Sequence, residues 1–392
     1  FGNAKTAPKM TYSKYNGANT TGFAANYNPL ASSATANLTW VDLNRDDVAQ
    51  GDLGCVYLTV RCEINFGQLP NGFGSLTSLR RPDPDFARPY NVESSVAVQH
   101  ELLPRVSVNA SWYHRVFHNL TITDYTTRTA SDYTPVNVVS PLDGEVITVY
   151  NISPTALVNV DRVDFASDER QQIYDGYEFS LSARLPGGAQ VFGGTVTQHT
   201  LNVNCDQPDD PNQFRFCDER ERPNPFRTQI KMSGAYTLPR LGVQTSASFQ
   251  SEPGFGLLTN WNVGRTTRYA AHCKGPCTPG ALVVPNMTDT AIVVPLIPSG
   301  YEFVGALNQF DLKFAKLFNV RGVRLTSQFE IFNSLNSSAV LALRGSQTTQ
   351  NANCAQCAPS NPTGTYIGTP LYHQPGDIVQ GRLYKVGLQV KW

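Results

Sequence analysis

No stretch of this chain approaches the ~20 consecutive apolar residues that carry a helix across a bilayer. The longest apolar runs, such as residues 291–297, are short and broken by proline. Surplus charge is missing too. Lysine plus arginine balance aspartate plus glutamate at 31 each, so the basic excess that phosphate backbones demand is absent and nucleic acid is excluded as a partner. Charge of either sign is sparse, at 16% of residues, against ~25% in an average soluble domain. Methionine is scarce, and the Ala, Glu, Lys and Leu that favour helices are thin beside Asn, Thr, Ser, Gly and Tyr, which points to strands and loops. No initiator Met or signal peptide precedes Phe1, so the chain is expected to be a processed product or a piece of something longer. No GxSxG, HExxH, Walker or GxGxxG signature occurs in a fitting context, and Gly187-Gly188 and Gly193-Gly194 read as turn and strand glycines. A non-enzymatic protein is expected.

What is present is period-two alternation, the mark of strands with two unlike faces. Val106, Val108, Ala110, Trp112 and Val116 alternate with Ser107, Asn109, Ser111, Tyr113 and Arg115. Val243, Thr245, Ala247 and Phe249 alternate with Gln244, Ser246, Ser248 and Gln250, and Val323, Leu325, Phe329 and Ile331 with Arg324, Thr326, Gln328 and Glu330. About ten strands follow, near 34–41, 92–102, 105–117, 173–185, 189–201, 226–237, 241–251, 307–317, 322–333 and 381–392. Residues 1–33 are left as an N-terminal extension, and 34–392 form one barrel-like domain. Pro- and Gly-containing turns at 103–105, 185–188, 238–242 and 318–322 join strands tightly, whereas the connections near 42–91, 118–172, 202–225, 252–306 and 334–380 are long and polar. All tight turns then fall on one side and all long loops on the other. The fold expected is all-β: an antiparallel up-and-down meander, an outer-membrane-type β-barrel or part of one. The last strand agrees, since Tyr384, Val386, Leu388, Val390 and Trp392 form an apolar stripe ending on an aromatic.

Eight cysteines fall in four close pairs within polar loops: Cys55 with Cys62, Cys205 with Cys217, Cys273 with Cys277, and Cys354 with Cys357. Local disulfides and an oxidising compartment are expected. The spacing Asp42, Asn44, Asp46, Val48, Gln50, Asp52 sets oxygen donors at alternate positions, with the Val48 carbonyl among them, which suits Ca2+. The match to an EF-hand loop is partial, with Asp47 at the sixth position and Leu53 at the twelfth, and a solvated loop of Asx turns is the alternative. Residues 205–212 are a weaker site of the same kind. His100, His114 and His118 read as polar-face residues.

Residues 80–124, the stretch DGYEFSLSARLPGG from Asp175, residues 226–251, NQFDLKFAKLF from Asn308 and the final GRLYKVGLQVKW resemble, in order and spacing, the C-terminal barrel of TonB-dependent outer-membrane receptors. The subgroup resembled carries a carboxypeptidase-regulatory-like N-terminal domain. The resemblance implies energised uptake of siderophore, cobalamin or glycan. Such receptors wrap about 22 strands around a plug, and this sequence shows neither plug nor TonB box. Ten strands cut from a larger barrel have two open edges that recruit other strands. The first expectation is therefore a structural protein at or outside the outer membrane that assembles with copies of itself into an extracellular polymer or tube. The alternative is a receptor barrel whose partners are outer-membrane lipid and the remainder of the receptor. A secreted hydrolase on a β scaffold ranks last.

Overall fold

The structure is a computed structural model that describes residues 4–18, 20–28, 36–69, 80–158, 161–206, 210–257, 259–269, 273, 275–343, 349–350 and 375–392. Ten strands form one sheet: β1 (Thr6–Asn16), β2 (Tyr90–Leu103), β3 (Val106–His118), β4 (Gln171–Arg184), β5 (Gln190–Val203), β6 (Arg227–Leu238), β7 (Val243–Glu252), β8 (Leu307–Val320), β9 (Val323–Phe332) and β10 (Leu383–Lys391). Each is antiparallel to its neighbour in chain order, so the sheet is a plain meander. Local chemistry explains the hairpins. Arg321 and Gly322 both take positive φ, 48° and 87°, between the paired Val320 and Val323. That left-handed pair matches the right-handed twist of the flanking strands. Within β5, a Cβ on Gly193 would stand 2.2 Å from the Lys231 carbonyl oxygen, and one on Gly194 2.4 Å from that of Phe179. Only glycine lets β4, β5 and β6 approach this closely.

The first strand is a correction. It is Thr6–Asn16, inside the segment set aside as an extension, and not 34–41. Residues 36–41 make only an isolated bridge, Trp40 to Ile64. The reason is contrast. In β1, Pro8, Met10, Tyr12 and Lys14 alternate with Lys9, Thr11, Ser13 and Tyr15, so neither face is clearly apolar, and its place is set by eleven paired positions along β2. The direction is unchanged: β1 runs toward the long loops and β10 away from them. β1 and β10 are the two ends of the sheet order and do not pair with each other.

The loops are a second correction. They are not simply polar connections but hold small sheets, including Tyr133–Val139 with Val146–Ile152 and Thr259–Gly264 with Ala291–Ile297. Val138, Ile147 and Val149 from one loop close a dry core with Trp261, Val263, Val284, Ile292 and Val294 from another. Each such side chain contributes roughly 1.5–3 kcal/mol by leaving water. The Val139 N–H donates to the Tyr269 hydroxyl at 3.0 Å, the Asn151 amide donates to the Asn286 carbonyl at 3.2 Å, and Arg215 Nε donates to the Pro295 carbonyl at 2.7 Å. The loops thus form a folded cap over one end of the sheet, whose own faces hold few fully buried residues.

Candidate functional site

Register divides the sheet into two chemically unlike faces. On one, Glu93 stands opposite Arg115, Ser111 opposite Glu178, Gly194 opposite Lys231, Ser246 opposite Lys313, and Glu330 opposite both Lys313 and Lys385. Charges there pair locally. Arg115 binds Glu93, Lys231 reaches Glu252 at 2.9 Å, and Glu330 holds Lys313 at 2.7 Å and Lys385 at 3.1 Å. Gln250, Gln309 and Asp311 continue the network at 3.1 Å. Such surface pairs contribute only ~0–1 kcal/mol each to stability. Their effect is to make a hydrated wall on which positive and negative groups alternate.

The opposite face carries Val96, Trp112 and Tyr177 in one cross-strand row, and Met232, Phe249 and Phe310 in another. Phe314, Phe329, Tyr384 and Val386 continue it, with ring centroids 6.5 Å apart for Phe314 and Phe329 and 6.1 Å for Phe329 and Tyr384. The predicted terminal stripe belongs to this face: Tyr384, Val386, Leu388 and Val390 stand opposite Ile331, Phe329, Ser327 and Leu325, and Trp392 is 97% exposed at the tight-turn end. Nothing in the described chain covers Val98, Phe179, Val386 or Leu388. An uncovered apolar band of this extent requires lipid or another protein surface.

The histidines correct the sequence reading. His100 and His114 share this apolar face with Val96 and Trp112. They sit near its two ends, where polar partners are within reach: His100 Nδ1 bonds the Thr6 hydroxyl at 2.8 Å and His114 Nδ1 bonds Asp175 at 2.8 Å. His118 stacks on Tyr90 with centroids 4.8 Å apart.

In the cap, Cys55–Cys62, Cys205–Cys217 and Cys273–Cys277 are disulfide-bonded, whereas Cys354 and Cys357 lie outside the described residues. Of the oxygen donors predicted near residues 42–52, Asp42 and Asp46 converge with a residue that the spacing did not indicate, Glu63. Each places a carboxylate oxygen within 4.8 Å of the other two. Asn44 and Gln50 both donate to Asp46, at 2.8 and 2.6 Å, while Val48 supplies its N–H to Asp46 at 2.9 Å. Asp52 does not join the cluster. Glu63 is fully buried and accepts the Leu43, Asn44 and Gln50 N–H groups at 2.8, 3.3 and 3.4 Å. Asp42 accepts those of Arg45 and Asp47 at 2.6 and 3.1 Å. The Val48 N–H above all, with the Gln50 and Asn44 amides, holds the Asp46 carboxyl below the usual carboxylate range. The Cys55–Cys62 bridge returns Glu63 to the loop from eleven residues beyond Asp52, and that adjacency was the only signal for it in the sequence. In the weaker site, Asp206 is committed to Arg170 and Ser167, and Asp210 caps the turn at Asn212.

No family model and no curated protein matches this chain. Solved structures do, two outer-membrane proteins among them. The outer membrane transporter YddB from Escherichia coli is 12% identical with a TM-score of 0.44, over 98% of this chain and 38% of that one. The ferric-catecholate import receptor Fiu from E. coli K12 is 13% identical with a TM-score of 0.36, over 82% of this chain and 30% of that one. The chain therefore spans less than two fifths of the length of either protein.

Proposed function

We propose that this chain is part of the wall of an outer-membrane transport barrel of the TonB-dependent receptor type. Its apolar face lies on lipid, its paired-charge face lines a watery interior, and the disulfide-pinned cap stands outside the cell. The observation that carries this reading is the division of one meander into an uncovered apolar face and a charged, hydrogen-bonded face, with all long loops at one end. Energised uptake of siderophore, cobalamin or glycan is the activity such a wall would serve. A second reading has its own observation. Among the described residues β1 and β10 are free edges that run in opposite directions, so β10 of one copy can pair antiparallel with β1 of the next and keep every loop on one side, which builds a ring or tube. Both readings are non-enzymatic.

Trp112 on the apolar face separates them. In a variant retaining only this tryptophan, reconstituted into bilayers with brominated acyl chains, the wall reading expects strong quenching of its fluorescence. Absence of quenching, with regular filaments seen by electron microscopy of the detergent-free chain, would transfer the lead to self-assembly.

We further propose that Asp42, Asp46 and Glu63 hold Ca2+. Two carboxylates of the 42–46 turn and Glu63, returned to them by the disulfide, form a hard-oxygen donor set, although main-chain N–H groups already stabilise the loop without an ion. Calcium is expected to raise the melting temperature relative to a chelated sample, by mass action on the folded state. Glu63→Gln should abolish that difference. Identical melting of the native chain with calcium and with chelator would rule the site out.

A further inference from the structure

A cavity of about 650 Å³ opens at the loop end of β5, β6 and β7, bounded on its far side by residues 299–305. It takes no part in either reading above. Arg227 lines it, half-buried, with its guanidinium 4.2 Å from the centre of the Phe303 ring. Among the described residues no carboxylate or carbonyl pairs with that guanidinium, although Glu252 lines the same cavity. Glu252 is instead taken by Lys231 and Gln229, both at 2.9 Å. Asn224 Oδ1, beside the cavity, is buried with no hydrogen-bond partner among the described residues. Asn224 is fixed in place, because its amide packs against the bare Cα of Gly300, where a Cβ would overlap Asn224 Oδ1 at 1.5 Å.

Buried polar groups are ordinarily satisfied, and a desolvated cation ordinarily has a counter-charge. Here a cation without a described counter-charge faces an open space that is partly walled by Phe255 and Leu307. We propose that this cavity binds a small organic carboxylate, whose charged end lies on the free edge of the Arg227 guanidinium and whose apolar body lies along Phe303 and Phe255. A planar guanidinium already stacked on a ring presents its remaining N–H fork in the geometry a carboxylate accepts bidentately. The mixed lining, polar at one end and aromatic at the other, favours an amphipathic organic acid over inorganic phosphate.

The test uses the full chain in detergent and two fluorescent probes of equal body, dansylglycine with a carboxylate and dansylamide without one. Dansylglycine should bind roughly tenfold or more tightly than dansylamide, the scale of one charge-assisted hydrogen-bonded pair. Arg227→Gln should bring the two affinities together. Arg222→Gln, which removes an exposed arginine stacked on Phe216 outside the cavity, should leave the preference intact. Should Arg227→Gln fail to fold, Arg227→Lys keeps the charge without the fork and should lower the preference without abolishing it. The proposal is overturned if the native chain binds both probes equally, or if the preference survives unchanged in the Arg227 variants. Inorganic phosphate competing as well as dansylglycine would overturn the organic-acid assignment.

Discussion

Asp164→Ala should destabilise the cap by about 3–5 kcal/mol, the cost of leaving a buried ion pair with one partner. Asp164 is 1% exposed on the strand Arg162–Ser167, which lies between Arg80–Pro82 and Leu120–Tyr125. Its Oδ2 accepts from Arg80 Nε at 2.7 Å and from the Tyr27 hydroxyl at 2.9 Å, and its Oδ1 accepts from the Thr123 hydroxyl at 2.6 Å. One carboxylate therefore joins the helix Thr21–Tyr27, the segment before β2 and the loop after β3. Asp164→Asn keeps the volume but leaves the Arg80 charge uncompensated, so most of the loss should remain.

The same network predicts a pH dependence. Burial pushes the Asp164 carboxyl up, but the bonds from Arg80, Thr123 and Tyr27 outweigh it and hold the group below the usual carboxylate range. A depressed folded-state value means the contribution is complete above the unfolded value, ~3.9, and fades as pH falls through the folded one. Tyr27 is displaced the other way, pushed up to about 12 by burial and then by its bond to Asp164. Its contribution is complete below the unfolded value of ~10 and is lost as pH rises through the folded one. The melting-temperature gap between the native chain and Asp164→Asn should be level from about pH 5 to 9 and shrink below about pH 4. A gap that persists undiminished in acid would show that Asp164 acts by packing alone.

Trp261→Ala should unfold the cap while leaving the wall standing. Trp261 is 1% exposed, pairs with Val294 and sits in the cluster that closes the two loops on each other. Loss of a buried indole costs about 3–5 kcal/mol. Trp261→Phe should cost far less, about 1 kcal/mol, because it also removes an indole N–H that has no partner among the described residues. Hydrogen exchange reads both effects. In the alanine variant, Tyr133–Val139, Val146–Ile152 and Ala291–Ile297 should lose protection while β2 to β9 keep theirs. Loss of protection in the wall at the same time would mean that cap and sheet fold as one unit.

Period-two alternation and tight-turn chemistry are local properties, and they made most of the sheet legible in the sequence. Val106, Val108, Ala110 and Trp112 declare their face without reference to any partner, and Arg321-Gly322 declares its turn. Pairs of cysteines separated by 7, 12 and 4 positions were legible for the same reason, because chain connectivity alone brings them near each other. Where recognition depends on distant segments, the signal vanished. β1 has no distinct apolar face, so only its ladder with β2, which pairs Thr6 with His100, identifies it as a strand. The cap core unites Val138 with Trp261 and Val263 from segments that read as polar loops, and Glu63 reaches Asp42 only after a disulfide turns the chain back. The sequence by itself determined a two-faced meander with its loops on one side, because side-chain alternation and turn dihedrals are set within a few residues. Tertiary structure alone decided which segment forms the first edge, that the loops bury a core, and that Arg227 and Phe303 share one cavity. Those outcomes follow from burial and charge pairing between residues far apart in the chain, for which no local pattern exists.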